Sequence, residues 1–239
     1  MCGRTGLSLN KEQVRCACSY KQKDGNTYIK PDWLNEHNDG KEYIPSYNIA
    51  PSDVTPVLIA GNRNEGISKT SRVLKPMMWG IIPPWHKGDY KNHNLSTNNC
   101  RIENIKSSKL YNPILINGGR CVIVVEGFYE WQTTIKTKMK QPYYIYAPQG
   151  DNIQAWLDID SVNSELALSY LRSVKILSWH QVSKEVNNSR NKSSSCNKRE
   201  TTEKKIKQKT LTSFFTKTEK RKYNDEDNIT DKDCKKIKS

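Results

Sequence analysis

The chain has 239 residues, 35% of them hydrophobic, and a mean hydropathy of −0.83, which suits one well-packed domain joined to a segment too polar to bury. It contains no stretch of 18 apolar residues that could span a bilayer as a helix, and its Met1-Cys-Gly-Arg4 start lacks the charged and apolar regions of a signal peptide, so a soluble, intracellular protein is expected. Thirty-nine Lys and Arg against 25 Asp and Glu give a net charge of +14, which favours a polyanionic partner, nucleic acid first. Seven irregularly spaced cysteines, none in a CxxC pair, indicate neither a disulfide framework nor a zinc site, and reduced thiols are expected.

The first hundred residues read as short strands and loops, punctuated by turn signals at Lys23-Asp-Gly-Asn26, Asn38-Asp-Gly40 and Gly61-Asn62. Arg120 to Glu126 is a continuous apolar run of the kind buried on both faces of a sheet. It leads through Gly127 into Phe128-Tyr-Glu-Trp131, and a second strand, Gln141 to Tyr146, follows a polar loop over Thr133 to Lys140, which predicts a hairpin. Val162, Leu166, Tyr170 and Leu171 lie near helical spacing over 161–171, and strand character returns over Val174 to Val182. The mixture predicts an α+β fold, β-rich with flanking helices. Beyond Arg190 the composition turns to Lys, Ser, Thr and Asn, with 15 Lys and Arg against 8 Asp and Glu in 191–239. The expected organisation is one domain over 2–190 and a disordered basic tail over 191–239.

Chemistry is concentrated at the amino terminus. Position two is small enough for the initiating methionine to be removed, which would leave Cys2 with a free α-amine beside its thiol. Both groups titrate within reach of neutral pH, and together they can condense with an aldehyde, first as an imine and then as a five-membered thiazolidine. Gly3 permits close backbone approach, and Arg4 carries a forked donor suited to phosphate.

Six segments, in order, carry a resemblance: the Met1-Cys-Gly-Arg4 start, Pro45-Ser-Tyr-Asn48, Met78-Trp-Gly-Ile-Ile-Pro-Pro-Trp85, Thr97-Asn-Asn-Cys-Arg101, Cys121 to Trp131, and Val186-Asn-Asn-Ser-Arg190. Together they resemble the SRAP (SOS-response-associated peptidase) family. The resemblance implies a sensor of abasic sites in single-stranded DNA that protects the lesion as a covalent crosslink through Cys2. It also implies a thiol autopeptidase, hence hydrolase or lyase chemistry, that exposes this cysteine. Cys2, Glu130 and Asn99 match the family's catalytic positions, Glu130 as the acid/base group and Asn99 as a hydrogen-bonding partner of the aldehyde or sugar. Arg4 and Arg101 match phosphate contacts, Trp79 and Trp85 lie in the motif that offers aromatic surface to bases, and Ser46 and Asn48 complete the implied DNA-binding set. Local reading favours core packing for Trp79 and base stacking for Trp85. No cofactor or metal is implied, and a monomer is expected.

The sequence departs from the family in two places. Ser96 replaces an asparagine, and Gln149-Gly-Asp-Asn152 stands where the family carries several dozen residues that include a His-Arg-Met-Pro motif. The family's catalytic histidine therefore has no counterpart, and a truncated core with unpaired strand edges is expected. His180, in a predicted strand, reads as a structural histidine. In the tail, Gln208, Leu211, Phe214 and Phe215 fit the pattern Gln-x-x-Leu-x-x-Phe-Phe, which resembles a PCNA-interacting peptide and would place the protein in the nucleus at replication forks. The alternative is a catalytically impaired adaptor that binds DNA and PCNA without a covalent step.

Overall fold

The structure is a computed structural model that describes residues 2–21, 27–35, 38–61, 71–89, 95, 97–135, 137–147, 153–171 and 177–200. Its larger sheet has five strands, β1 (Thr5–Leu7), β5 (Ser46–Ile49), β9 (Gly127–Thr133), β10 (Lys140–Tyr146) and β11 (Ser178–Gln181), in the order β11-β10-β9-β1-β5. A second sheet has the order β4-β7-β6-β8, from β4 (Asp32–Trp33), β6 (Val54–Ala60), β7 (Arg72–Met78) and β8 (Val122–Ile123). A small ribbon pairs β2 (Tyr20–Lys21) with β3 (Tyr28–Ile29). With helices α1 (Lys11–Ala17), α2 (Tyr111–Ile116), α3 (Ile153–Leu157) and α4 (Ser164–Tyr170), the fold is α+β and β-rich, as expected.

The long pair β6–β7 meets at every residue from Val54↔Met78 to Ala60↔Arg72 and places Pro56 opposite Pro76. Neither proline has an N–H to give, and none is needed at that rung. The Pro56 carbonyl turns away to accept from Val124 N at 3.2 Å, and the Pro76 carbonyl accepts from the Asn38 amide at 3.0 Å. Leu7 and Ile49 of the larger sheet pack on Leu58 and Leu74 of the second, with Val14 of α1 and Leu157 of α3 closing the cluster. A second core, Tyr129, Tyr144, Val182, Val186 and Cys196, lies on one face of β9–β11.

Several expectations are corrected. The apolar run 120–126 is not a central strand. Only Val122–Ile123 pairs, on β6 alone, with Ile123 and Val125 exposed, because no strand lies on its other side among the described residues. Helix α1 was not foreseen, although Asn10 and Gln13 form a reciprocal capping box at its start, an Asn-x-x-Gln signal that is legible in sequence. The domain does not end at Arg190. Val182 bridges Arg199, and Cys196, which lies in a 3-10 turn over Ser194–Asn197, is fully buried. Cys2, Cys18, Cys100, Cys121 and Cys196 are free thiols. The hairpin over 133–140 and the helix within 161–171 form as predicted, and the last strand covers Ser178–Gln181 among the described residues.

The extension past Arg190 is locked by Asn48, which is fully buried and whose amide nitrogen lies 2.9 to 3.2 Å from the carbonyls of Val186, Asn188 and Asn191. Asn48→Ala would strand these acceptors, at a cost of about 1–3 kcal/mol. The variant is expected to melt several degrees lower and to be cut faster by protease within 186–200. A melting temperature equal to that of the parent protein would refute the lock.

Candidate active site at the amino-terminal strand

Strand β1 lies between β5 and β9, with Thr5 opposite both Ile49 and Phe128 and Gly6 opposite Gly127. The ladder continues one step towards the terminus through Tyr129 N, which donates to the Arg4 carbonyl at 3.0 Å. Cys2 therefore enters the site from the end of a central strand. Its half-buried thiol points back to the Arg4 carbonyl at 3.2 Å, and its own carbonyl accepts from the Asn99 amide at 2.6 Å. Burial raises the Cys2 thiol above its ordinary value, the backbone at Arg4 opposes this, and the negative charge of Glu130 raises it further.

Asn99 is held from below. The Trp79 indole donates to the Asn98 carbonyl at 2.9 Å, and the Tyr111 hydroxyl lies 2.9 Å from the Thr97 carbonyl and 3.0 Å from that of Asn99. Trp79 is half-buried and packs against the first core, so it supports this loop and does not offer a free ring face. Tyr111 was missed in sequence, because a tyrosine opening a short helix carries no signal beyond ordinary packing. Asn99 itself anchors the Cys2 backbone, a narrower job than the contact with aldehyde or sugar implied by resemblance.

The remaining residues divide by position. Arg4 donates from Nη1 to the Gly3 carbonyl at 2.9 Å, while its buried Nε has no partner. Arg101 is exposed and lines a cleft of about 380 Å³ with Asn99, Cys100, Asn104, Ser108 and Tyr111. Trp85 stands in the turn that joins Pro83 to His86 and is 56% exposed, the presentation that base stacking requires. Ser46 and Asn48 are corrected. Both are buried, the Ser46 hydroxyl accepts from Asn48 N, and the Asn48 amide is spent on the lock described above, so neither is placed to meet DNA. Gln208, Leu211, Phe214 and Phe215 lie outside the described residues, as do Ser96 and 148–152.

His180 lies on the opposite face of the sheet from Glu130. It pairs with Tyr144, which pairs with Tyr129, whereas Glu130 pairs with Tyr143. Directly opposed residues share a face and neighbours alternate, so His180 and Glu130 point to opposite sides of the sheet. His180 is used structurally, with Nε2 2.8 Å from the Asn197 carbonyl and its ring against Tyr144.

Comparison with known proteins places the chain. The model of the family described as SOS response associated peptidase (SRAP) matches residues 1–153. The chain belongs to the SRAP family. It is 39% identical over 173 residues to abasic site processing protein HMCES of Xenopus tropicalis, covering 71% of this chain and 50% of that one. The HMCES protein of Gallus gallus is 39% identical over 163 residues, covering 67% and 46%, and abasic site processing protein YoaM of Bacillus subtilis (strain 168) is 34% identical over 104 residues, covering 44% and 41%. The chain thus spans about half the length of the curated relatives it matches. A crystal structure of a protein from Bacteroides thetaiotaomicron shares the fold, with a TM-score of 0.59 at 12% identity, covering 84% of this chain and all of that one.

The electrostatics of this SRAP site make a prediction. A raised thiol carries less thiolate at neutral pH than an exposed cysteine, so alkylation of Cys2 should climb with pH over a range displaced upwards. Glu130→Gln removes one raising influence and should speed iodoacetamide labelling of the amino-terminal peptide at pH 7.5 by about two- to five-fold, read by mass spectrometry. Unchanged labelling would show that Glu130 does not act on the thiol.

Proposed function

We propose that this protein captures abasic sites in single-stranded DNA by covalent attachment through Cys2, shielding the lesion. The observation that carries the reading is the convergence on Cys2 of the Asn99 amide and the Glu130 charge at the end of a central strand. Membership of the SRAP family, and the abasic-site processing named for its relatives, support it.

Once Met1 is removed, the Cys2 α-amine adds to the aldehyde carbon of the open sugar, and loss of water leaves an imine. The thiol then adds to the imine carbon, and its proton passes to nitrogen as the C–S bond closes the thiazolidine. The amine attacks first, and the second step needs a base. Glu130 fills that role, accepting the thiol proton and returning it to nitrogen. Autoproteolytic exposure of Cys2 belongs to the same reading, and Arg4 and Arg101 are the proposed phosphate contacts.

Incubation with an oligonucleotide carrying one abasic site should give an adduct that survives denaturation without reductant. Cys2→Ala should lose it, while borohydride still traps an imine at the remaining amine, and Glu130→Gln should form it at least about 100-fold more slowly. A folded parent protein that binds the oligonucleotide without an adduct would overturn covalent capture and favour the adaptor reading.

The tail motif extends the proposal to PCNA and so to nuclear replication forks. Leu211, Phe214 and Phe215 would plug an apolar pocket on the clamp, with Gln208 bonding beside it. Phe214→Ala with Phe215→Ala should abolish recovery on immobilised PCNA, and undiminished recovery would reject the motif.

A further inference from the structure

The sheet face that carries Glu130 extends well beyond the site. Glu130 is directly opposite Tyr143 and Phe128 opposite Ile145, while Ile145 is in turn opposite Trp179. Opposed residues share a face, so Glu130, Tyr143 and Trp179 look out on the same side. At the other end of the sheet this face is covered, since Thr5 is opposite both Phe128 and Ile49, and Ile49 is sealed in the core between the two sheets. The cover stops at the site. On β11 the Trp179 indole is 60% exposed and meets the Tyr143 ring in a T-shaped arrangement at a centroid distance of 5.5 Å. The Tyr143 hydroxyl is fixed by the Gln132 side chain at 3.0 Å, so the pair is positioned as well as open.

Two further observations indicate what covers this face. The platform is continuous with the Glu130 site, only two strand spacings away, roughly 10 Å. Beyond β11, Glu200 N donates to the Gln181 carbonyl at 2.8 Å and Val182 bridges Arg199, so the exposed Lys198 and Arg199 follow beside the strand of Trp179. Open aromatic rings flanked by a nucleotide-handling site and by exposed cations form the combination that holds unpaired nucleic acid, in which rings stack on bases and cations track phosphates.

We propose that Tyr143 and Trp179 form a stacking platform for the bases on one flank of the captured nucleotide, with the unpaired strand running from Glu130 across β10 and β11 towards Lys198 and Arg199. The identity of the strand rests on the proposed capture of abasic DNA; the platform itself is non-covalent and does not involve Cys2.

Affinity of the full chain for lesion-free single-stranded DNA, measured by fluorescence anisotropy at one fixed salt concentration, tests this directly. Trp179→Ala should weaken binding about 5- to 30-fold, Tyr143→Ala less, and Trp179→Phe should recover most of the loss, because one base stack contributes about 1–2 kcal/mol. Truncating the oligonucleotide on one side of an abasic site, and not on the other, should erase the difference between Trp179→Ala and the parent protein. Equal affinity of a Trp179→Ala variant with an unaltered circular dichroism spectrum would overturn the platform. So would a dimer in sedimentation that dissociates on the same substitution while DNA affinity stays unchanged, since a second copy would then be the occupant. If no covalent adduct forms yet affinity still depends on Trp179, covalent capture falls and the platform stands.

Discussion

Cys2, the proposed nucleophile, sits at the end of a strand that is central in its sheet. β1 is only three residues long, yet it is bonded on both sides, to β5 and to β9, so the backbone just ahead of it has little freedom. Tyr129 N fixes the Arg4 carbonyl and the Asn99 amide fixes that of Cys2, which turns a chain terminus, ordinarily the loosest part of a fold, into a positioned group. The same packing leaves no room for error on β9. A Cβ at Gly127 would lie 2.4 Å from Tyr144 Cζ and 2.7 Å from the Ile145 carbonyl oxygen, so the glycine of the Glu-Gly-Phe-Tyr-Glu-Trp stretch is required by close approach of the neighbouring strand.

Burial and charge act together at Cys2: desolvation and the charge of Glu130 raise the thiol, while the backbone at Arg4 opposes them. The alternation of the sheet separates the other titratable ring, because His180 packs with Tyr144 and Tyr129 on the face opposite Glu130.

Where strand pairing stops, apolar side chains are exposed. Among the described residues β8 has a neighbour on one side only and exposes Ile123, with Val125 exposed just beyond it, and β11 exposes Trp179. Asn48 and the turns over 184–197 seal one face of β9–β11 from the carboxyl-terminal side.

Much of this was legible from residues alone. The aminothiol at Cys2, the hairpin of β9 and β10, the α+β mixture and the candidate pair of Cys2 with Glu130 follow from local chemistry, turn signals and ordered motifs, none of which needs the fold to be known. Other properties depend on which strand neighbours which. The apolar run at 120–126 looks like a buried strand, and only the sheet order makes it an edge. Asn48 looks like a ligand contact within a matching motif, and only its burial and hydrogen bonds make it a support. Sequence determined which reactive groups this protein owns, because reactivity resides in the side chain. Tertiary structure decided which of them meet, on which face and with what protonation, because facing, desolvation and the fields of distant charges arise only when strands far apart in the chain are brought side by side.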